Sequence, residues 1–116
     1  MEDLYDKVYD KFEELCISGN NMVEIEEYLK TYKFLINYDN GYFFDLIADR
    51  GNVELIKLFL KYGTDPTLDN DYALFSCAEN ENDECVDLLL KNGANFNRLK
   101  CNINYNYYLN KYFRGL

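Results

Sequence analysis

The chain has 116 residues, of which 48% are hydrophobic, and a formal net charge of −9. This length fits one domain, and the apolar content is sufficient for a packed core, which excludes global disorder. The excess of carboxylates repels nucleic-acid phosphates and anionic membrane surfaces. These two classes of partner are therefore excluded, and a protein partner with a basic patch is favoured.

The sequence has no stretch of the roughly 20 apolar residues that a membrane span needs, and no basic segment followed by a hydrophobic run at its start. We therefore expect a cytoplasmic protein. The chain contains no histidine and four cysteines, which have no zinc-site spacing. We interpret three of the cysteines as small buried thiols in a reducing compartment, and expect neither a metal nor a cofactor.

The first predicted element is an amphipathic helix over residues 2–17, with its charged side chains on the solvated face. Its apolar stripe, at spacings of three and four residues, consists of Leu4, Tyr5, Val8, Tyr9, Phe12, Leu15 and Cys16. We expect this helix to open an N-terminal capping repeat over residues 1–38. Within that unit, Ile17 aligns with Ile47 and Val23 aligns with Val53 at a shift of thirty.

The same shift of thirty relates residues 39–68 to residues 69–98. Chance would give about two identities, from ordinary residue frequencies. The ten identical pairs are Asp39/Asp69, Asn40/Asn70, Tyr42/Tyr72, Ala48/Ala78, Asn52/Asn82, Glu54/Glu84, Leu58/Leu88, Leu60/Leu90, Lys61/Lys91 and Gly63/Gly93. The sequence therefore predicts two copies of one structural unit, which cannot bury its apolar face alone and must stack.

The pattern of each copy predicts a turn, a short helix, a tight turn and a longer helix. The apolar residues before Ala48 and those after Asn52 have helical spacing, and Asp and Asn favour the turn between copies. Gly63 ends the longer helix, because glycine adopts the left-handed C-terminal conformation without strain. Gly93 repeats that ending thirty residues later.

A final helix is predicted over residues 104–113, within a C-terminal unit of residues 99–116. Its apolar face would consist of Tyr105, Tyr108, Leu109, Tyr112 and Phe113. Two interpretations are open: a cap over the end of the stack, or a dimer surface made of leftover aromatic area. We favour the cap, since a stack must close its end.

Catalytic chemistry has little support in the sequence. There is no Gly-rich phosphate loop, no histidine and no Ser or Cys beside a plausible base. The carboxylates between Glu79 and Glu84 fall in a turn between helices, where we expect solvation. We predict that the protein is not an enzyme.

The segment Leu88-Leu89-Leu90-Lys91-Asn92-Gly93-Ala94-Asn95-Phe96-Asn97 resembles the end of an ankyrin repeat. Gly51-Asn52-Val53-Glu54-Leu55-Ile56 is similar to the start of that family's second helix, whereas the family's Thr-Pro-Leu-His is replaced by Tyr42-Phe43-Phe44-Asp45 and by Tyr72-Ala73-Leu74-Phe75. Asn70-Asp71-Tyr72-Ala73-Leu74 resembles the short arrays of large amoeba-infecting DNA viruses. The resemblance implies an all-α ankyrin-repeat solenoid of about three helix pairs plus a C-terminal capping helix.

The resemblance also implies a non-catalytic protein–protein interaction module, and suggests a viral effector that binds a host protein in the host cytoplasm. Alignment with the family places twelve positions on the outward turns and concave side: Tyr38, Asp39, Gly41, Asp49, Arg50, Leu68, Asp69, Asp71, Glu79, Asn80, Arg98 and Leu99. Tyr38 and Arg50 are preferred, because Tyr and Arg dominate many binding interfaces. Tyr42 and Tyr72 are interpreted as packing residues. The alternative is a structural protein that dimerises through its aromatic C-terminal end, so the expected state is a monomer or weak homodimer.

Overall fold

A computed structural model describes residues 4–114, and it consists of helices and short connections. The helices are α1 (Leu4–Ser18), α2 (Met22–Thr31), α3 (Tyr38–Asp49), α4 (Val53–Lys61), α5 (Leu68–Glu79), α6 (Asp83–Lys91) and α7 (Tyr105–Phe113), with 3-10 turns at Lys33–Leu35 and Phe96–Cys101. No strand occurs between residues 4 and 114, which confirms the all-α prediction. No helix in this range is long and apolar enough to span a bilayer. Glu2 and Asp3 of the predicted first helix lie outside the described residues.

The helices pair as α1–α2, α3–α4 and α5–α6, and the three pairs stack side by side. Helices α1, α3 and α5 contact one another in sequence and form the first-helix row. Helices α2, α4 and α6 form the second-helix row. The stack measures 55 by 24 by 21 Å. This arrangement confirms the predicted helical-repeat solenoid.

One apolar interior runs through the stack between the two rows. Phe12 of α1 is fully buried, and its ring centroid lies 4.8 Å from that of Phe43 and 5.9 Å from that of Phe59. These contacts join the first helix pair to the second. Burying one such side chain contributes roughly 1.5–3 kcal/mol, so the packing of neighbouring pairs supplies most of the stability.

In α4 and in α6, an asparagine both caps the helix and ties it to the preceding repeat. The side-chain oxygen of Asn82 accepts a hydrogen bond from the Cys85 amide at 3.2 Å, which satisfies a free donor at the start of α6. Its Nδ2 donates to the carbonyl of Gly51 at 3.3 Å. Asn52 makes the same two kinds of bond at the start of α4. The identity of this pair in the sequence therefore reflects a structural link between repeats.

Two left-handed turns precede the regular parts of α3 and α5. Residues 39–41 and residues 69–71 all have positive φ, between 48° and 87°. Asn, Asp and Gly adopt this conformation at the lowest cost, which explains the composition of both turns. The chain changes direction within three residues, which accommodates a unit of thirty residues where ankyrin repeats commonly have about 33.

The first helix pair does not follow the alignment suggested by the sequence. The carbonyls of Gly19 and Gly51 each accept a hydrogen bond from the next repeat's capping asparagine, so these glycines correspond at a shift of thirty-two. Ile17, which was aligned with the buried Ile47, is 42% exposed, and Leu15 is buried instead. That alignment is wrong because Gly19 lies three residues before the start of α2, whereas Gly51 lies two before the start of α4, and because α2 has 10 residues where α4 has 9.

The C-terminal segment closes the stack. The 3-10 turn at Phe96–Cys101 packs on α5, in the place of a further first-row helix, and α7 lies beside α6. Tyr108 is fully buried and donates a hydrogen bond of 2.8 Å to Asp83, while Tyr112 donates to Asp87. Tyr108 and Tyr112 of α7 therefore pack against the protein, as the capping interpretation predicts, whereas Phe113 is 49% exposed.

Candidate functional site

The described part of the chain concentrates negative charge on two neighbouring helices of the first-helix row. Helices α3 and α5 together carry six carboxylates and no Lys or Arg. Asp71 is buried, and the other five define, with Tyr42 and Tyr72, the acidic face: Asp39, Asp45, Asp49, Asp69 and Glu79. Electrostatic coupling of Asp45, Asp49 and Glu79 to Tyr72, and of Asp39 to Tyr42, places these side chains near one another.

Three of the four lysines of the second-helix row, Lys30, Lys57 and Lys61, form ion pairs with carboxylates of that row. Lys57 lies 3.3 Å from Glu54 and 3.4 Å from Glu84, and Lys61 lies 3.3 Å from Glu26. Within residues 4–114, no Lys or Arg forms an ion pair with a carboxylate of α3 or α5. The charge of the acidic face is therefore not neutralised by the protein itself, and it attracts a cationic partner.

Two tyrosines, thirty residues apart, tie adjacent first-row helices together on this face. The hydroxyl of Tyr42 donates a hydrogen bond of 2.6 Å to Glu13 of α1, and that of Tyr72 donates one of 2.9 Å to Asp49 of α3. Ser76 also donates to Asp49, at 2.6 Å. The hydrogen bond to the carboxylate is the main reason why the pKa of each tyrosine is raised. These bonds fix the carboxylates while leaving the phenol rings partly exposed.

Asp45 lies between α3 and α5 and is the most perturbed carboxyl on the acidic face. Burial raises its pKa to about 8, and a hydrogen bond with Asp69 and the charges of Asp69 and Asp49 act in the same direction. A carboxyl with this pKa is largely protonated at neutral pH, and in that form Asp45 donates a hydrogen bond to Asp69. The face therefore contains one group that titrates in the physiological range.

Asp45→Asn is expected to remove a pH dependence of stability. The pKa is higher in the folded state than the ordinary 3.8, so the stabilising protonated form is fully present below pH 3.8 and is lost as pH rises through about 8. After allowance for solvent screening, we expect the free energy of unfolding of the variant, relative to that of the natural chain, to be about 1–2 kcal/mol higher at pH 9 than at pH 5. Urea unfolding of both proteins at the two pH values measures this difference. A difference that does not change with pH contradicts the prediction.

Six of the twelve positions proposed from the sequence are exposed: Asp39, Asp49, Arg50, Asp69, Glu79 and Asn80. The four acidic ones belong to the acidic face, and Arg50 and Asn80 follow the ends of α3 and α5. Tyr38 is only partly exposed, because its ring stacks on Tyr9 at 4.3 Å. Arg98 is also partly exposed, with its guanidinium 4.2 Å from the centroid of the Phe75 ring and its Nε donating to the Asn70 carbonyl.

The outward placement of Gly41, Asp71 and Leu99 is wrong. Leu99 is fully buried beneath α5, and Asp71 is 8% exposed because it accepts a hydrogen bond of 3.0 Å from the Asn95 amide. Gly41 is buried with φ of 87°, and a Cβ there would lie 3.1 Å from the Cβ of the partly buried Leu68. Gly41 and Asp71 shape the two left-handed turns that carry part of the acidic face.

The cysteines differ from the prediction in one respect. Cys77 of α5 and Cys85 of α6 are buried, as expected, but form a disulfide with their Cα atoms 6.0 Å apart. Burial, with a smaller contribution from Glu13, raises the pKa of the buried Cys16 thiol to about 12. Cys101 is exposed. Within residues 4–114 no cluster of Cys, Asp or Glu side chains has an arrangement that suits a metal ion.

Sequence reasoning missed three members of the acidic face, namely Tyr42, Asp45 and Tyr72. Tyr42 and Tyr72 were interpreted as packing residues, yet Tyr42 is 40% exposed and both donate to carboxylates across the helix row. The identity of Tyr42 and Tyr72 at a shift of thirty is the sequence signal that could have identified them as functional residues. Asp45 gave none, because its counterpart in the next copy is Phe75.

Comparison with known proteins adds one finding. A family model described as ankyrin repeats (3 copies) matches residues 20–100, which include α2 to α6 and the turns between them. No curated protein and no solved structure matches the chain.

Proposed function

Because the chain belongs to the ankyrin-repeat family, we propose that it binds a partner protein that presents a basic segment to the acidic face. Ankyrin repeats are protein–protein interaction modules and are typically not catalytic. The choice of this surface rests on the charge of α3 and α5, which hold six acidic side chains and no cation; among the six, Asp45 is largely protonated at neutral pH.

The exposed residues of the acidic face suit a basic segment in two ways. Asp39, Asp49 and Glu79 offer carboxylates for charge-assisted hydrogen bonds to Arg or Lys, the stronger class of hydrogen bond. The partly exposed rings of Tyr42 and Tyr72 offer π faces for a cation. Both contributions favour arginine over lysine, since its planar guanidinium makes bidentate and stacked contacts.

The cations at the borders of the acidic face limit where such a segment lies. Arg50 follows the end of α3, and Arg98 covers Phe75 of α5. Either arginine repels a basic residue of the partner that lies against it. This repulsion restricts the positions that the basic segment takes along the acidic face. We therefore assign Arg50 and Arg98 a selective role rather than the main share of binding energy.

The similarity of Asn70-Asp71-Tyr72-Ala73-Leu74 to viral arrays supports a narrower proposal about the partner. In that proposal the partner is a host protein, and the encounter takes place in the host cytoplasm. This narrower proposal concerns only the origin of the partner. The binding of a basic segment to the acidic face does not depend on that origin.

A matched pair of double variants tests the proposal. Asp39→Asn with Glu79→Gln removes two charges from the acidic face, and Glu54→Gln with Glu84→Gln removes two from the second-helix row. Partners are captured from a lysate by each protein, identified by mass spectrometry, and their affinities measured by calorimetry at two salt concentrations. We expect the first variant to bind about tenfold more weakly, equivalent to about 1.4 kcal/mol, with a smaller salt dependence, and the second to bind normally.

Two results would count against the acidic face. One is a partner whose affinity falls equally in both double variants, because that indicates a dependence on net charge alone. The other is a capture experiment in which no protein is recovered less efficiently by the Asp39/Glu79 variant than by the natural chain. Circular dichroism of both variants establishes that the fold is intact.

A further inference from the structure

The two ends of the stack carry opposite charge. Residues 92–114 contain no Asp or Glu and four cations, namely Arg98, Lys100, Lys111 and Arg114. Helix α1 at the other end carries four carboxylates against two lysines. Lys111 pairs with Asp83 of α6 at 3.3 Å, and the other three cations give this segment an excess of positive charge in a chain of net charge −9.

At the N-terminal end, exposed carboxylates lie beside exposed apolar side chains. Asp10, Glu14 and Ile17 follow one another at spacings of four and three on α1, and all three are exposed. A groove of about 300 Å³ lies between the start of α1 and residues 31–34, and Lys33 is among its lining residues. Its rim includes Leu4, 67% exposed, and Phe34, 37% exposed.

At the C-terminal end, exposed cations lie beside exposed apolar side chains. Ile103 is 84% exposed and Phe113 is 49% exposed. Lys100 and Arg114 are also exposed, and residues 92–114 contain no Asp or Glu. The α6 carboxylates that contact α7 are already engaged, Asp83 with Lys111 and Tyr108, and Asp87 with Tyr112. This end complements the N-terminal end in charge and matches it in apolar character.

We propose that a second copy of this chain docks head to tail, with its C-terminal end on the N-terminal end of the first. Lys100 and Arg114 of one copy face Asp10 and Glu14 of the next, and the apolar side chains beside them are covered. Such a contact is heterologous, because each copy uses two different surfaces. It leaves a free end on either side and therefore continues into short chains.

The size of the contact sets its strength. The ends of the stack measure 24 by 21 Å, which allows roughly 500 Å² to be covered on each copy, below the ~800 Å² per partner of a standard interface. Association is therefore weak and reversible, and salt weakens it because exposed charges are screened. The proposal is independent of the acidic face, which lies on α3 and α5 between the two ends.

Charge-reversal variants at each end provide the test. Asp10→Lys with Glu14→Lys makes the N-terminal end positive, and Lys100→Glu with Arg114→Glu makes the C-terminal end negative. The control, Glu54→Lys with Glu84→Lys, changes the net charge from −9 to −5, as the first variant does, but in the middle of the second-helix row. Sedimentation equilibrium gives the average mass of each protein over a concentration series that reaches about 1 mM, where contacts of this strength are populated.

We expect the average mass of the natural chain and of the control to rise above the 13.8 kDa of one copy with concentration. Each end variant alone stays at one copy, because like charges meet at its junction. An equimolar mixture of the two end variants associates again, because both of its junctions pair opposite charges. Circular dichroism shows that each variant remains folded.

Three results overturn the proposal. A natural chain that stays at 13.8 kDa at every concentration excludes the contact. A mixture of the end variants that stays at one copy shows that complementary ends do not drive association. A dimer that survives in the Asp10/Glu14 variant and is lost only in the Lys100/Arg114 variant indicates a symmetric contact between two C-terminal ends.

Discussion

Replacing Asp71 with Val is expected to lower the free energy of unfolding by about 2–4 kcal/mol, from backbone strain and a lost hydrogen bond together. Asp71 has φ of 57°, a left-handed conformation that Asp tolerates and a β-branched side chain does not. Its carboxylate also accepts a hydrogen bond of 3.0 Å from the Asn95 amide, which joins the left-handed turn at the start of α5 to the turn after α6. Val removes that acceptor and strains the backbone at the same position.

Two further substitutions separate the two contributions. Asp71→Gly relieves the backbone but loses the acceptor, and is expected to cost about 1 kcal/mol. Asp71→Asn keeps both the side-chain oxygen and the tolerance for positive φ, and should change stability by less than about 0.5 kcal/mol. Urea unfolding followed by circular dichroism gives the three values. The explanation fails if Asn destabilises as much as Val, or if Val unfolds at the same urea concentration as the natural chain.

Most of the architecture was predictable because each helix carries its own signals. The apolar spacing around Ile47 and Leu55, the capping Asn52 and the terminating Gly63 are local features, and each acts within a few residues. Their repetition thirty residues later made the prediction stronger than any one signal. The stacked helix pairs follow, since a single pair leaves its apolar face in water.

The first repeat was harder to predict because two small insertions lie in it. One extra residue between Gly19 and the start of α2 and one in α2 itself change the shift to thirty-two at Gly19, although Tyr32 and Tyr62 still end their helices at a shift of thirty. An alignment with one fixed shift cannot match Gly19 with Gly51 and also Tyr32 with Tyr62. Ile17 was therefore placed in the core, where Leu15 actually lies.

The candidate site was predicted less completely than the fold, because side-chain direction depends on contacts between repeats. Gly41 and Asp71 occupy turns, where exposure is the usual expectation, yet each is buried against the neighbouring repeat. Asp45 became part of the acidic face only when α5 brought Asp69 beside it. The disulfide between Cys77 and Cys85 likewise depends on the antiparallel pairing of α5 and α6.

The short left-handed turns connect the shape of the protein to its charge. They require Asp, Asn or Gly, and at positions 39 and 69 the residue is Asp. A turn made of these residues adds carboxylates at the start of α3 and α5 and leaves no position for Lys or Arg within it. The backbone conformation of the two turns therefore accounts for part of the acidic face. Asn at positions 39 and 69 would lower the negative charge of this face without loss of the fold.

Tyr108→Ala is expected to cost about 3–5 kcal/mol, the usual range when a large buried aromatic side chain is deleted. The ring of Tyr108 is fully buried beside Tyr112, and its hydroxyl donates to Asp83. Alanine leaves a cavity between α7 and α6. Because the units of a repeat protein contact only their neighbours, the loss should appear first as release of α7 from the end of the stack.

Tyr108→Phe is the matched control, since it keeps the ring and removes only the hydrogen bond to Asp83. Its expected cost is about 1 kcal/mol, because Tyr107 and Lys111 still contact that carboxylate. Hydrogen exchange of the α7 amides, measured with urea unfolding, separates local release from global destabilisation. In Tyr108→Ala these amides should exchange much faster while those of α3 and α4 keep their protection. Equal acceleration across all helices would show that α7 and the rest of the stack unfold as one unit, and α7 would then be an integral part of the solenoid.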